Sequence, residues 1–371
     1  MRYRIEKDLL GQRQVPAEAY YGIETLRGKE NFEITKRGIC RQMIKALAIV
    51  KKAAAKANVD ALNIDEKVGK AIMLACDEIL NGRLHGQFVT DLIQGGAGTS
   101  MNMNANEVIA NRANELLGGK KGVYDFVHPN DHVNLGQSTN DVIQTAGKIA
   151  IVKQLKKLQV ELKKLYNAYL NKATEFKDVI KMGRTHLQEA LPLRLGQEFS
   201  AYASALNRDM KRIDVAIEAL LEVNMGATAI GTSLNANEKY RKKVIYYLNK
   251  FSGEQIKPAK DLIDATRNFD TFGQASSTLK LLALNLSKTA SDLRLMASSG
   301  SNGFSEITLP HVQPGSSIMP GKVNPVIPEV VNQVAFNIIG NDMTIAMATE
   351  AGQLELNAFE PVSYTHLRAH E

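Results

Sequence analysis

Residues 151–169 read IVKQLKKLQVELKKLYNAY, and Ile151, Leu155, Leu158, Leu162, Leu165 and Tyr169 recur in steps of four and three. That spacing draws one apolar stripe along a helix, while Lys153, Lys156, Lys157, Lys163 and Lys164 form its solvated face. Two more stretches follow the same rule. One carries Leu195, Phe199, Tyr202, Leu206, Met210, Ile213, Ile217 and Leu220. The other carries Phe272, Ala275, Leu279, Leu282, Leu286, Leu293 and Met296, with Thr289 as a polar step. A fourth helix is expected from about Pro328 to Thr349. A helix of about 28 residues is roughly 40 Å long, and such helices are stabilised by lateral packing. The expected fold is therefore all-α, mainly helical, with a bundle of long helices as its central domain. Alternating patterns compete only in short segments near Val179–Gly183 and Ala227–Gly231.

Outward from this bundle the chain is more broken. Up to residue 139 it shows shorter helical runs, Met43–Asn58 and Asp65–Asn81, between loops marked by Gly95, Gly96, Gly98, Gly118, Gly119 and Pro129. We expect a smaller, mainly helical N-terminal domain over 1–139 and the long-helix domain over 140–362. The last residues, SYTHLRAHE (363–371), lack the apolar periodicity of what precedes them and read as a tail foreign to the protein, the alternative being an ordinary exposed tail.

Composition narrows the function classes. Of 371 residues, 44% are hydrophobic and 23% charged, ordinary for a soluble globular protein. The sequence has no run of about 18 apolar residues, so no membrane span is expected. The charged start MRYRIEKDLLGQ lacks the apolar core of a signal peptide. Cys40 and Cys76 are too few for a disulfide framework or a zinc site, which suits a reducing cytoplasm. They lie on helical stretches and are expected in the core. The net charge of +7 raises the question of nucleic acid. Against it, basic and acidic residues are interleaved, Trp is absent, and no nucleic-acid motif occurs. A positive field that attracts a dianionic metabolite fits the same balance. His128 and His132 have the spacing of helical metal ligands, but Pro129 between them argues against a shared face, and no metal site is expected. No Gly-x-Ser-x-Gly elbow is present.

Four polar clusters interrupt the helical pattern. Residues 315–325 read GSSIMPGKVNP, where two glycines and two prolines forbid regular structure between two long helices. This loop offers two hydroxyls, an ammonium and an amide, the groups needed to hold a small anion and move a proton. Residues 95–104, GGAGTSMNMN, join a glycine loop to a helix and could present backbone N–H groups to an anion, or form only a capped turn. Residues 136–141, GQSTND, have the chemistry of a helix start, and capping is the better reading of them alone. In residues 183–188, GRTHLQ, a lone histidine is more often structural than catalytic, while the neighbouring Arg184 and Thr185 favour an anion contact, a signal of moderate specificity.

Taken together, GSSIMPGKVNP (315–325), TSMNMNANEV (99–108), GQSTND (136–141) and MGRTHLQ (182–188) resemble the signatures of the aspartase/fumarase superfamily. The resemblance runs from Gly11 to about Val362. Within the superfamily, EVNMGATAIGT (222–232) and NPVIPEVVNQV (324–334) are similar to the branch that deaminates L-aspartate rather than to fumarases. The resemblance implies three mainly helical domains in a homotetramer whose active sites are each shared by three subunits. It implies a further helical domain beyond the position of Val362, which this chain would lack. The implied reaction is reversible deamination of L-aspartate to fumarate and ammonia, a carbon–nitrogen lyase step with no metal or organic cofactor. In it, Thr99, Ser138, Thr139 and Ser317 would hold the β-carboxylate, and Thr185, Lys322 and Asn324 the α-carboxylate. Asn140 and His186 would lie at the amino group, and Ser316 would take the Cβ proton. The glycines at 315 and 321 would let the loop close over substrate. The alternatives are a fumarate hydratase and a non-catalytic structural protein on the same scaffold.

Overall fold

The computed structural model describes residues 2–298 and 302–367. It opens with an antiparallel hairpin, β1 (Tyr3–Asp8) and β2 (Gly11–Pro16), followed by helices α1 (Ile23–Asn31), α2 (Arg41–Asp60), α3 (Glu66–Leu80) and α4 (Thr99–Leu116). The 37-residue α5 (Thr139–Glu175) leads to a second hairpin, β3 (Ile180–Thr185) and β4 (Gln188–Arg194), and then to α6 (Leu195–Leu220). After α7 (Glu238–Ser252) and the short α8 (Leu262–Arg267), the long α9 (Asp270–Met296) and α10 (Val326–Glu350) complete the bundle, and α11 (Glu360–Leu367) closes the described chain.

The long helices stand where the apolar stripes place them. They alternate in direction, and polar pins set their register. Asn285 of α9 donates to Asp209 of α6 at 2.8 Å, and Ser276 of α9 donates to Asp342 of α10 at 2.7 Å. At the other end of that pair, Asn332 of α10 donates to the Ser287 hydroxyl at 2.8 Å. Tyr169, Phe199, Tyr202 and Phe176 pack in tilted and edge-on contacts where α5 meets α6. The first half of α5 is buried on every side, from Asp141 to Val152, because α2 and α4 wrap it. Leu47, Val50, Ala53, Ala54 and Ala57 of α2 join its Val142, Ile143, Ala146 and Ile149 in one continuous core. The division expected at 139/140 falls at the first residue of α5.

Several expectations are corrected. The hairpin near Val179–Gly183 forms, but Ala227–Gly231 is a turn, held by Ala227 N–H to Asn224 and Ser233 N–H to Ala227 carbonyls at 2.9 Å. The β1–β2 hairpin has no counterpart in the sequence reading; only Glu6 and Val15 of its residues are buried, so it lacks a clear apolar alternation. Cys40 is not a core residue of α2 but its N-cap, its Sγ accepting from the Met43 N–H at 3.4 Å, whereas Cys76 is fully buried. His128 and His132 are used within a tight turn. The His128 N–H donates to His132 Nδ1 at 2.8 Å, and His128 Nδ1 accepts from the Asn130 and Asp131 N–H groups. Residues 363–367 of the expected tail lie in α11, where Tyr364 and Leu367 are buried and the Tyr364 ring meets Phe272 edge-on at 5.1 Å; residues 368–371 lie outside the described residues. Among the described residues no helix is long and apolar enough to cross a membrane.

One buried carboxyl caps a helix from a distance. Gly22, the N-cap of α1, has no side chain to satisfy the first N–H groups, and Glu107 of α4 accepts from Gly22, Glu24 and Thr25 at 2.8, 2.9 and 3.0 Å. A Cβ at Gly22 would lie 2.7 Å from carboxylate oxygens of both Glu107 and Glu6, so a side chain there would displace the carboxyls that cap the helix. Burial raises the Glu107 carboxyl to about 7 against these hydrogen bonds. The folded state thus keeps this proton after the unfolded chain has released it. Its contribution to stability is greatest below the ordinary value of 4.5 and declines as pH rises toward about 7. The thermal midpoint of the parent should therefore fall more steeply between those pH values than that of Glu107→Gln. Parallel slopes would refute the assignment.

Candidate functional site

Two of the four polar clusters meet. The N-terminus of α4, which starts at Thr99, lies beside that of α5, which starts at Thr139, and the Asn102 amide of α4 donates to Thr139 Oγ1 at 3.0 Å. Two helix N-termini side by side sum their partial positive charges where an anion could sit. Ser138 does what capping predicts. Its Oγ accepts from the Asn140 N–H at 3.2 Å, and Asp141 returns the bond by accepting from the Ser138 N–H at 2.9 Å. Asp141 also accepts from Gly226 and Thr228 at 3.0 and 3.1 Å, so one buried carboxyl clamps the 136–140 segment to the 226–229 loop. Asn140 strengthens that junction by donating to the Ala229 carbonyl at 2.6 Å. Thr99 Oγ1 donates to the Gly96 carbonyl at 2.6 Å. Ser138 and Thr139 line a cleft of about 510 Å³ together with Asn130, Asp131, Thr228 and Ala229.

Beneath this cleft lies charge that the sequence reading missed. Lys51 of α2 is completely buried, and its Nζ donates to Asn134 Oδ1 at 2.8 Å and Gln137 Oε1 at 3.0 Å. Burial pushes its ammonium down to about 7, opposed by Asp141 and Cys76. Burial likewise pushes the Asp141 carboxyl up to about 6, against its three backbone donors and Lys51. A signal for Lys51 existed: Leu47, Lys51, Ala54 and Asn58 are spaced as one face of α2, so a lysine stands in the apolar stripe. Asn102, Asn104, Asn106, Asn111 and Asn114 are a second signal, five asparagines on one helix that disfavours them, all buried.

The other two clusters lie at the far end of α5, roughly 55 Å along its 37 residues. Thr185 and His186 stand exposed at the tip of the β3–β4 hairpin. His186 and Leu187 form its two-residue turn with φ of 54° and 62°, the left-handed pair that suits strand twist. The Gly315–Pro325 loop precedes α10, whose first turns pack on the last turns of α9, as in the Asn332 amide to Ser291 Oγ bond at 3.2 Å. Lys181 ties this end together: its Nζ lies 3.0 Å from Glu198 of α6 and 2.8 Å from Glu306. Arg184 pairs with the same Glu306 and lies over the Phe304 ring at 4.5 Å. The hairpin is thus pinned to the segment that leads into the loop.

The loop is organised by its own backbone. Ser316 Oγ accepts from the Ile318 and Met319 N–H groups at 3.3 and 3.1 Å. Asn324 donates to the Gly315 carbonyl at 2.9 Å, and the Gly315 N–H donates to the Lys322 carbonyl at 3.1 Å. A Cβ at Gly315 would lie 2.4 Å from that carbonyl, so a side chain there would force the two ends of the loop apart. Ser316 is half-buried, while Ser317 and Lys322 are exposed. Within one chain, then, Thr99, Ser138, Thr139 and Asn140 assemble at one end of the bundle. Thr185, His186, Ser316, Ser317, Lys322 and Asn324 lie toward the other. A single copy cannot bring all ten to one small molecule.

A family model described as "Lyase" matches residues 11–340. Aspartate ammonia-lyase of Bacillus subtilis (strain 168) is 58% identical over 360 residues, covering 97% of this chain and 76% of its own. Aspartate ammonia-lyase of Escherichia coli (strain K12) is 51% identical over 362 residues, with 97% and 76% covered. Among solved structures, fumarate lyase:delta crystallin from Brucella melitensis bound to cobalt superposes with a TM-score of 0.97 at 49% identity, covering 100% of this chain and 82% of that one. The class II fumarase of Schistosoma mansoni gives 0.96 at 37% identity, with 99% and 80% covered.

Proposed function

The chain belongs to the lyase family of the aspartase/fumarase superfamily, and from that premise we infer that it catalyses the reversible deamination of L-aspartate to fumarate and ammonia. The observation that carries the chemistry is the Ser316 hydroxyl, whose oxygen already accepts two backbone N–H groups. The hard step is removal of a weakly acidic Cβ proton. The resulting charge must spread onto the neighbouring carboxylate as an enediolate, and each donor preorganised for it contributes about 3 kcal/mol. Thr99, Ser138, Thr139 and Ser317 are our candidates for those donors, supported by the paired N-termini of α4 and α5. Thr185, Lys322 and Asn324 are our candidates for holding the α-carboxylate. Ser316 takes the Cβ proton, its alkoxide favoured by the Ile318 and Met319 N–H groups and by the charge of Lys322. The C–N bond then breaks, the electron pair leaves with nitrogen, and Asn140 and His186 attend the amino group.

Because one chain separates these groups by the length of α5, we propose that the site forms between copies in a homotetramer. The exposed apolar surface of α10 supports this, with Ile327, Val330 and Val334 on one face and Phe336, Met343 and Met347 on the opposite one. Its solvent exposure would be costly in a lone chain, and a matching copy would cover it. A cytoplasmic location, read from the sequence, stays part of the proposal. Fumarate formed from L-aspartate, followed by its ultraviolet absorbance, tests the activity. Turnover of malate without turnover of L-aspartate would establish the hydratase instead, and inertness toward both would leave the non-catalytic reading.

A further inference from the structure

We propose that Asn102 is a positioning residue that turns the Thr139 hydroxyl outward as a donor to the substrate carboxylate, with its own orientation imposed through Asn134 by the buried Lys51. The inference rests on the reading above that Thr139 binds that carboxylate. A threonine hydroxyl can donate or accept, so a pocket lined with hydroxyls does not by itself select an anion. Here the choice is set by a chain of groups that begins with the Lys51 ammonium, which in its charged form can only donate. Lys51 Nζ is buried against two amide oxygens, Asn134 Oδ1 at 2.8 Å and Gln137 Oε1 at 3.0 Å. Each of these amides must therefore present its oxygen to the lysine. Gln137 is held the same way at its other end, its Nε2 donating to the Val133 and Leu135 carbonyls at 2.9 and 3.2 Å.

With Asn134 Oδ1 committed as an acceptor, the neighbouring Asn102 must present its N–H₂, which it does at 3.3 Å. The same Nδ2 donates its second hydrogen to Thr139 Oγ1 at 3.0 Å. Thr139 therefore accepts on its buried side and keeps its one hydrogen for the cleft it lines. The cost of this arrangement is visible on the far side of Asn102. Its Oδ1 is buried without a hydrogen-bond partner among the described residues, in a residue 1% exposed. A buried orphan oxygen is uncommon, and here it is what remains once both amide hydrogens point the required way.

The test uses the full chain and succinate, a four-carbon dicarboxylate without the reacting amino group, as a competitive inhibitor beside L-aspartate as substrate. Thr139→Val should raise the succinate Ki about ten-fold, the worth of one hydrogen bond to a charged group. Asn102→Leu, which removes the donor at similar size, should raise Ki and KM several-fold with a smaller change in kcat. In the Thr139→Val background it should change Ki less than two-fold, because the effect runs through the hydroxyl. An equal rise in both backgrounds, or none in either, overturns the proposal. An unchanged Ki in Thr139→Val alone would instead overturn the placement of Thr139 at the substrate. Helicity and sedimentation report whether Asn102→Leu folds. If it does not, Asn102→Asp decides: its carboxylate accepts the Thr139 O–H and turns it inward, so Ki should rise more than ten-fold and most of that rise should vanish when Thr139 is Val. A rise of the same size there contradicts the relay.

Discussion

Ser316→Ala is expected to lower kcat for L-aspartate by about a thousand-fold or more, since loss of a positioned general base removes its whole contribution to the barrier. Ser316 Oγ does little for the fold. It is half-buried, and its two contacts are N–H groups two and three residues along the same loop. Those N–H groups can bond water in the variant, and the Gly315–Lys322 and Asn324–Gly315 bonds that close the loop do not involve the Ser316 hydroxyl. Substrate binding, which the neighbouring Ser317, Lys322 and Asn324 would serve, should therefore survive. Succinate binding near the parent value by calorimetry, with turnover lost, is the expected pair of results. A variant within ten-fold of the parent kcat would show that another group takes the proton.

The second large effect is a recovery of activity. Thr139→Val should lose about a hundred-fold in turnover, the worth of one preorganised donor, and Ser316→Ala nearly all of it. Mixed, dissociated and reassembled, they should regain activity on the order of a tenth of the parent's, because an interface between copies can unite an intact end from each. The expectation follows from α5: its 37 residues hold Thr139 and the β3–β4 hairpin at opposite ends of a rigid rod, with Lys181, Arg184 and Glu306 fixing the segment that leads into the Gly315–Pro325 loop to the hairpin's end. A site within one chain would need both ends of that rod to meet. Mixing should then restore nothing, and a failure to recover activity after verified reassembly would refute the shared site. A protein diluted until its copies separate should lose turnover for the same reason.

The sequence was most legible where burial is periodic. The stripes at 151–169, 195–220 and 272–296 mark α5, α6 and α9 because a helix facing one core must repeat its apolar residues about every 3.6 positions. It was least legible where contacts join residues far apart in the chain. Glu107 caps α1 across more than 80 residues. Lys51 sits in an apolar run and looks like a solvated lysine until α5 and the 134–137 turn close over it. The GQSTND segment was read as a helix cap, and it is one; its first four residues, Gly136 to Thr139, also line a cleft, because a cap turns its polar groups out of the helix end. The chemistry-bearing residue types could be read from the loops, since glycine and proline exclude regular structure there whatever the rest of the chain does.

By itself, then, the order of residues determined the helices and the identity of the groups available for catalysis, because both follow from local spacing and side-chain chemistry. Which groups share a place was decided only in three dimensions. Folding joins the starts of α4 and α5 and holds the hairpin and the serine loop a helix-length away, since a rigid helix converts 37 positions along the chain into distance rather than contact.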